Sequence, residues 1–104
     1  MELTNNSYMY VLKCADNSLY TGYTTDLIRR IRLHNTKKGA KYTKSRVPVV
    51  LEYYEEFNSK SEAAKKEYFF KKFNRKQKIE YIFNNLSREK VEKIRDINKK
   101  IKEK

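Results

Sequence analysis

At 104 residues the chain has room for one domain and one hydrophobic core, which excludes a multidomain machine. Twenty-five Lys and Arg against 13 Asp and Glu give a formal charge of +12, yet 13% aromatic residues supply a burial capacity that disordered chains lack. The single Cys14 cannot form an internal disulfide, no apolar run approaches the roughly 20 residues of a membrane span, and the polar stretch Met1 to Ser7 is unlike a signal peptide, so a cytoplasmic location without a membrane partner is expected.

Tyr8 to Lys13 and Leu19 to Thr24 are short, aromatic and β-branched, and the turn formers from Cys14 to Ser18 between them predict a β-hairpin. Thr25-Asp26 then offers an N-cap, and Leu27, Ile28 and Ile31 recur at helical spacing, predicting a helix over about 26–36. Thr36 to Pro48, polar and basic with Gly39, is expected to be a loop or irregular turn, and Val49 to Phe57 has the composition of a third strand. Ser59 or Ser61 with Glu62 starts a second helix carrying Ala63, Ala64, Phe69, Phe70 and Phe73. A third begins near Asn74, with Ile79, Tyr81, Ile82 and Phe83 as its apolar residues. Leu86, Val91, Ile94, Ile97 and Ile101 mark a long basic C-terminal helix, expected to fray at its end. This order defines an α+β fold: a small three-stranded, largely antiparallel sheet flanked by helices, in a single domain over 1–104 with a C-terminal helical extension at 86–104.

The placement of the positive charge says more than its sum. From Arg29 to Arg46 stand eight basic residues (Arg29, Arg30, Arg32, Lys37, Lys38, Lys41, Lys44 and Arg46) and no acid, the footprint of a surface for a polyanion such as nucleic acid. Lys60 to Lys104 hold 16 basic and seven acidic residues, interspersed as on a solvated helix.

If the hairpin turns about Asp16-Asn17, Tyr10 lies across from Gly22, and Tyr10 and Tyr20 point to one face. On the first helix Arg30 and His34, four residues apart, flank the Leu27 and Ile31 stripe. On the second, Glu67 falls inside the apolar arc between Ala63 and Phe70, where a carboxylate needs a partner, and Lys66 is near enough in angle to be one. Each feature also has an ordinary structural explanation. A strand tyrosine packs, Gly22 marks a bulge, Arg30 pairs with Glu67 as readily as with a phosphate, His34 is a satisfied side chain, and Cys14 is inert.

Taken in order, these residues resemble the GIY-YIG nuclease family. Tyr8-Met9-Tyr10 matches the first signature triplet, with Tyr8 in place of its glycine, and Tyr20-Thr21-Gly22 matches the second. Arg30 stands where the family's helix carries its arginine, His34 at the family's His or Tyr position, and Glu67 at its glutamate. Asn74 is only a loose match to an asparagine that follows. Leu19 to Leu27, His34-Asn35 and Lys38 to Arg46 with Pro48 resemble the small stand-alone bacterial subgroup; the match covers about residues 8–80.

The resemblance implies an endonuclease that hydrolyses DNA phosphodiester bonds, structure-selective or weakly sequence-specific, in DNA repair, recombination or processing. It further implies that Glu67 holds a single Mg²⁺ or Mn²⁺ and Arg30 anchors the phosphate. Tyr10 would be the base or water-orienting group with Tyr20 as its hydrogen-bonding partner, and His34 a proton relay or itself the base. Arg29, Arg32, Lys37, Lys38, Lys41, Lys44 and Arg46 would then track the backbone of DNA, or of RNA, without reading bases, leaving targeting to DNA shape or to a partner protein. The competing expectation is a non-catalytic nucleic-acid-binding module.

Overall fold

Asp16 makes the first turn: its Oδ1 accepts from the Ser18 amide at 3.0 Å and hydroxyl at 2.5 Å, while Asn17 takes the left-handed conformation at φ 69°. The chain thereby reverses between β1 (Ser7–Lys13) and β2 (Leu19–Thr24). This computed structural model describes residues 6–103; the stretch up to Asn5, part of the segment unlike a signal peptide, lies outside the described residues, as does Lys104. β1 is central, antiparallel to β2 on one side and to β3 (Val50–Phe57) on the other.

The register of β3 is not uniform. Val11 faces Tyr53 but Leu12 faces Leu51, so Glu52 is an extra residue on β3. That irregularity turns Leu51, with Val49 and Tyr54, toward the core, where strict alternation would have placed Glu52. Gly22 pairs regularly with Tyr10, as the hairpin register predicts, so the alternative explanation of this glycine as a bulge does not apply.

Each sheet face has its own core. Tyr10, Leu12 and Leu51 pack with Leu27 and Ile31 of α1 (Leu27–Asn35) and Ile94 of α5 (Arg88–Lys102). Met9, Val11 and Tyr53 pack with Phe70 of α3 (Lys60–Lys71) and Ile82 of α4 (Arg75–Asn85). The outer edge of β3 is closed by two asparagines: Asn35 bonds both backbone groups of Val49, at 2.7 and 3.1 Å, and Asn98 both those of Leu51, at 2.8 and 3.0 Å.

Asp26, Ser59, Asn74 and Ser87 are the N-caps of α1, α3, α4 and α5, each accepting from the amide three residues on. Asn74 forms a full capping box with Gln77, which accounts for it structurally. Three expectations are corrected. The basic loop contains a one-turn helix, α2 (Lys41–Lys44), whose Thr43 is fully buried. The end of α5 is tied down through Glu103, because the Arg32 guanidinium donates to the carbonyls of Lys100 at 2.6 Å and Glu103 at 3.3 Å. Phe69, Ile79 and Phe83, counted with the apolar residues of their helices, are exposed, since Ala63, Phe70 and Ile82 already fill the inward faces of α3 and α4.

Candidate active site

The two glycines of the chain mark the site. A Cβ on Gly22 would lie 2.6 Å from the Tyr10 hydroxyl oxygen, and one on Gly39 would lie 2.5 Å from His34 Nδ1. Each glycine is thus the floor beneath one member of a hydrogen-bonded pair, in which Tyr10 Oη and His34 Nε2 are 2.9 Å apart.

The direction of that bond follows from the next one. Thr43 Oγ1 donates to the Ala40 carbonyl at 3.1 Å, so its lone pair accepts the proton of His34 Nδ1 at 2.8 Å. His34 Nε2 is then the acceptor and Tyr10 the donor. Burial pushes Tyr10 up to about 12, against the opposing influence of Arg30. Burial, with the Arg30 charge second, pushes His34 down to about 4. Both rings are neutral near pH 7, and the Nε2 lone pair of His34 holds the tyrosine hydroxyl proton in a hydrogen bond.

His34 lies within the buried stripe of α1, with Leu27 and Ile31, rather than beside it. Arg30, one turn earlier, has a buried Nε with no hydrogen-bond partner and makes no salt bridge among the described residues. A half-buried guanidinium with an unpartnered Nε is ready for an anion.

Tyr20, half-buried, packs edge-on against His34 at 5.2 Å between ring centroids. It lies 6.4 Å from the Tyr10 ring; the hydroxyl partner of Tyr10 is His34, not Tyr20. Tyr42 of α2 stacks on Tyr20 at 5.9 Å, and the Arg46 guanidinium sits 4.0 Å from the Tyr42 ring while pairing with Asp16 at 3.0 Å. Arg46 therefore anchors α2 to the hairpin turn, as Arg32 anchors α5. Of the basic cluster, Arg29, Lys37, Lys38, Lys41 and Lys44 form no salt bridge among the described residues.

Glu67 approaches from the other side of the sheet, near enough for its charge to raise Tyr10. Its Oε2 pairs with Lys71 Nζ at 3.0 Å, and that ammonium lies 5.8 Å from the Tyr20 ring. Lys66, the partner considered from helical angle, turns instead to Glu55 at 3.7 Å. Among the described residues no group of three or more His, Cys, Asp or Glu could hold a metal ion. Glu67 is thus a lone carboxylate oxygen donor. Both nitrogens of His34 are engaged, and Cys14 is buried with its thiol pushed up by burial. This donor chemistry fits a hard divalent cation that keeps most of its own water, not a soft metal held by nitrogen and sulfur.

Sequence reasoning missed Thr43, Gly39, Tyr42 and Lys71. The first three lie in the segment Gly39 to Thr43, whose only signal was its resemblance to the bacterial subgroup.

Residues 6–80 match the GIY-YIG catalytic domain, and the chain belongs to that family, which is a family of nucleases. Such nucleases generally use divalent metal ions. Within the family its relatives are small bacterial proteins of the UPF0213 group. It is 61% identical over 75 residues to UPF0213 protein SH2523 of Staphylococcus haemolyticus, covering 72% of this chain and 92% of that protein. It is 57% identical over 79 residues to UPF0213 protein YazA of Bacillus subtilis, covering 76% and 80%. The fold is similar to the solution structures of UPF0213 protein BH0048 of Bacillus halodurans (TM-score 0.53, 44% identity, 82% of this chain and 90% of that one) and protein EF2693 of E. faecalis (0.55, 46%, 81% and 90%).

Proposed function

We propose that this chain is a divalent-metal-dependent endonuclease that hydrolyses DNA phosphodiester bonds, with selectivity for DNA shape rather than sequence. The observation that carries the proposal is the Tyr10–His34 bond, at 2.9 Å, beside a buried Arg30 Nε that has no partner. A proton acceptor and an uncommitted cation side by side suit phosphoryl transfer, which requires a deprotonated water and a stabilised anionic transition state.

In this scheme Arg30 forks onto two oxygens of the scissile phosphate and holds it in line. Tyr20, at the mouth of the site, orients the attacking water. As the water oxygen bonds to phosphorus, its proton passes to Tyr10 Oη while the Tyr10 proton passes to His34 Nε2; Thr43 keeps the imidazole in the tautomer that can receive it. The bond to the 3′ oxygen breaks and that oxygen takes a proton from solvent water, leaving 5′-phosphate and 3′-hydroxyl ends, while the proton held on His34 returns to solvent. Glu67 would hold one Mg²⁺ or Mn²⁺, which supplies neutralisation of the charge on the departing oxygen. Lys71 must release Glu67 for this to happen, and its ammonium then lies beside Tyr20, where the strand would pass. Arg29, Lys37, Lys38, Lys41 and Lys44 track the flanking phosphates.

Supercoiled plasmid and branched DNA, incubated with Mg²⁺ or Mn²⁺ and separately with chelator, test the proposal. Metal-dependent nicking by the wild type that is lost in Arg30→Ala and Glu67→Ala, with unchanged circular dichroism, is the expected result. Tight binding without nicking under any metal condition would make the chain a binding module, and full activity in either variant would discard the assignment.

A further inference from the structure

We infer that the outward face of α3, from Lys65 to Lys72, is a second nucleic-acid contact surface on which unpaired bases of an arm leaving the site stack. This rests on the nuclease proposal for the same site and extends it to what the enzyme grips.

Tyr68 and Phe69 are 60% and 55% exposed, side by side, with ring centroids 5.9 Å apart at 74°. Helical spacing explains why they are outside: Ala63 and Phe70 take the inward face, leaving Lys65, Tyr68, Phe69 and Lys72 on the outward ridge. The Lys72 ammonium sits 4.4 Å from the Tyr68 ring centroid and 5.9 Å from that of Phe69. Two large rings held in water carry a solvation cost that a partner would relieve.

The partner's chemistry follows from the charge around them. Between Glu67 and Glu80 the chain has five basic residues (Lys71, Lys72, Arg75, Lys76 and Lys78) and no acid. A second copy of the chain would bring +12 and the same lysines against this ridge, so self-association there is repulsive. A polyanion that also presents flat apolar faces satisfies both features, phosphates on the ammonium groups and bases on the rings. Location selects nucleic acid over an anionic membrane. Tyr68 directly follows Glu67 and lies one turn from Lys71, which pairs with Glu67 and reaches over the Tyr20 ring, so a strand held at the site is carried onto this ridge within a few nucleotides.

The test measures binding, not cleavage. A labelled duplex carrying a single-stranded arm is titrated in chelator by fluorescence anisotropy, over a range of salt, with a blunt duplex in parallel. Tyr68→Ala combined with Phe69→Ala is expected to weaken binding of the armed duplex about tenfold or more while leaving its salt dependence intact. Lys65→Gln combined with Lys72→Gln is expected to lower the salt slope by about two. Unchanged affinity of the aromatic variant for the arm would overturn the inference. So would a variant whose DNA binding is intact but whose binding to phosphatidylglycerol vesicles, or whose homodimerisation, is lost. Arm binding lost in the aromatic variant, with no nicking by the wild type under Mg²⁺ or Mn²⁺, would break the nuclease proposal and leave the surface. Metal-dependent nicking with unchanged arm affinity would do the reverse.

Discussion

Two tyrosine-centred networks lie back to back across the central sheet, and they are finished differently. On the α3–α4 side Glu55 Oε2 accepts the hydroxyls of Tyr53 at 2.6 Å and Tyr81 at 2.5 Å, and Lys66 closes the charge at 3.7 Å. Both phenols are pushed up, by burial first and the carboxylate next, and Lys66 is raised, foremost by Tyr81, so the two tyrosines and the lysine are held in their resting protonation states. On the α1 side Tyr10, His34 and Thr43 form a chain of neutral groups ending on the Ala40 carbonyl, and among the described residues no carboxylate pairs with Arg30 beside it. The first network ties β3, α3 and α4 together. The second leaves a cation and a proton acceptor unspent, which lowers stability and suits reactivity.

Exchanging a single hydroxyl or carboxylate on each side should break the two networks in opposite ways. Tyr10→Phe is expected to lower the single-turnover cleavage rate about 10²–10⁴-fold, with a loss of about 1–2 kcal/mol in denaturant unfolding. Glu55→Ala strands the hydroxyls of buried Tyr53 and half-buried Tyr81 and should cost about 1–3 kcal/mol, with near-normal cleavage at temperatures where the variant is folded. If Glu55→Ala abolishes cleavage in the folded protein, or Tyr10→Phe leaves it unaltered, the division of labour is wrong.

The pH response sharpens the same contrast. His34 must be neutral to take the Tyr10 proton, so cleavage should rise as pH climbs through about 4 and then level off. Because an unfolded histidine titrates near ~6.5, the unfolded chain binds more protons between that value and about 4, and stability is lost as pH falls through this window, by up to about 3 kcal/mol. Thermal unfolding from pH 7 to 4 should therefore show a steeper decline for the wild type than for His34→Gln, and parallel declines would contradict a buried neutral imidazole.

The smallest effect concerns the half-exposed pair at the rim. Removing the Lys71 ammonium frees Glu67, and Lys71→Gln should tighten Mn²⁺ binding about two- to fivefold in an electron paramagnetic resonance titration without DNA. Identical titration curves would mean that the ammonium and the metal do not compete for Glu67.

What was legible in advance and what was not divides along a physical line. The hairpin, its register, the third strand, the cap at Asp26 and a serine start of α3 at Ser59 or Ser61 depend on alternation, turn chemistry and spacing within a few residues, and they were readable. Tyr10 opposite Gly22 followed from the hairpin alone. The extra residue at Glu52 did not, because it is decided by which side chain the facing core can accept. Phe69 and Phe83 carry the same hydrophobicity as Phe70, and only the finite area of the sheet, filled first by Phe70 and Ile82, left them outside.

Among the charges, local sequence located an acid-free basic stretch from Arg29 to Arg46 and the type of partner it suits. It could not sort those eight cations. Arg46 was taken by Asp16 on the hairpin turn and Arg32 by carbonyls near the end of α5, partners 30 and about 70 residues away along the chain. Arg30 has no salt-bridge partner among the described residues, where the acid expected beside it, Glu67, has its own lysine one turn along α3. Short-range pattern determined which residues this protein has to work with; contacts between segments distant in sequence decided which of them remain available for chemistry, since a charge is spent wherever the fold brings it a partner.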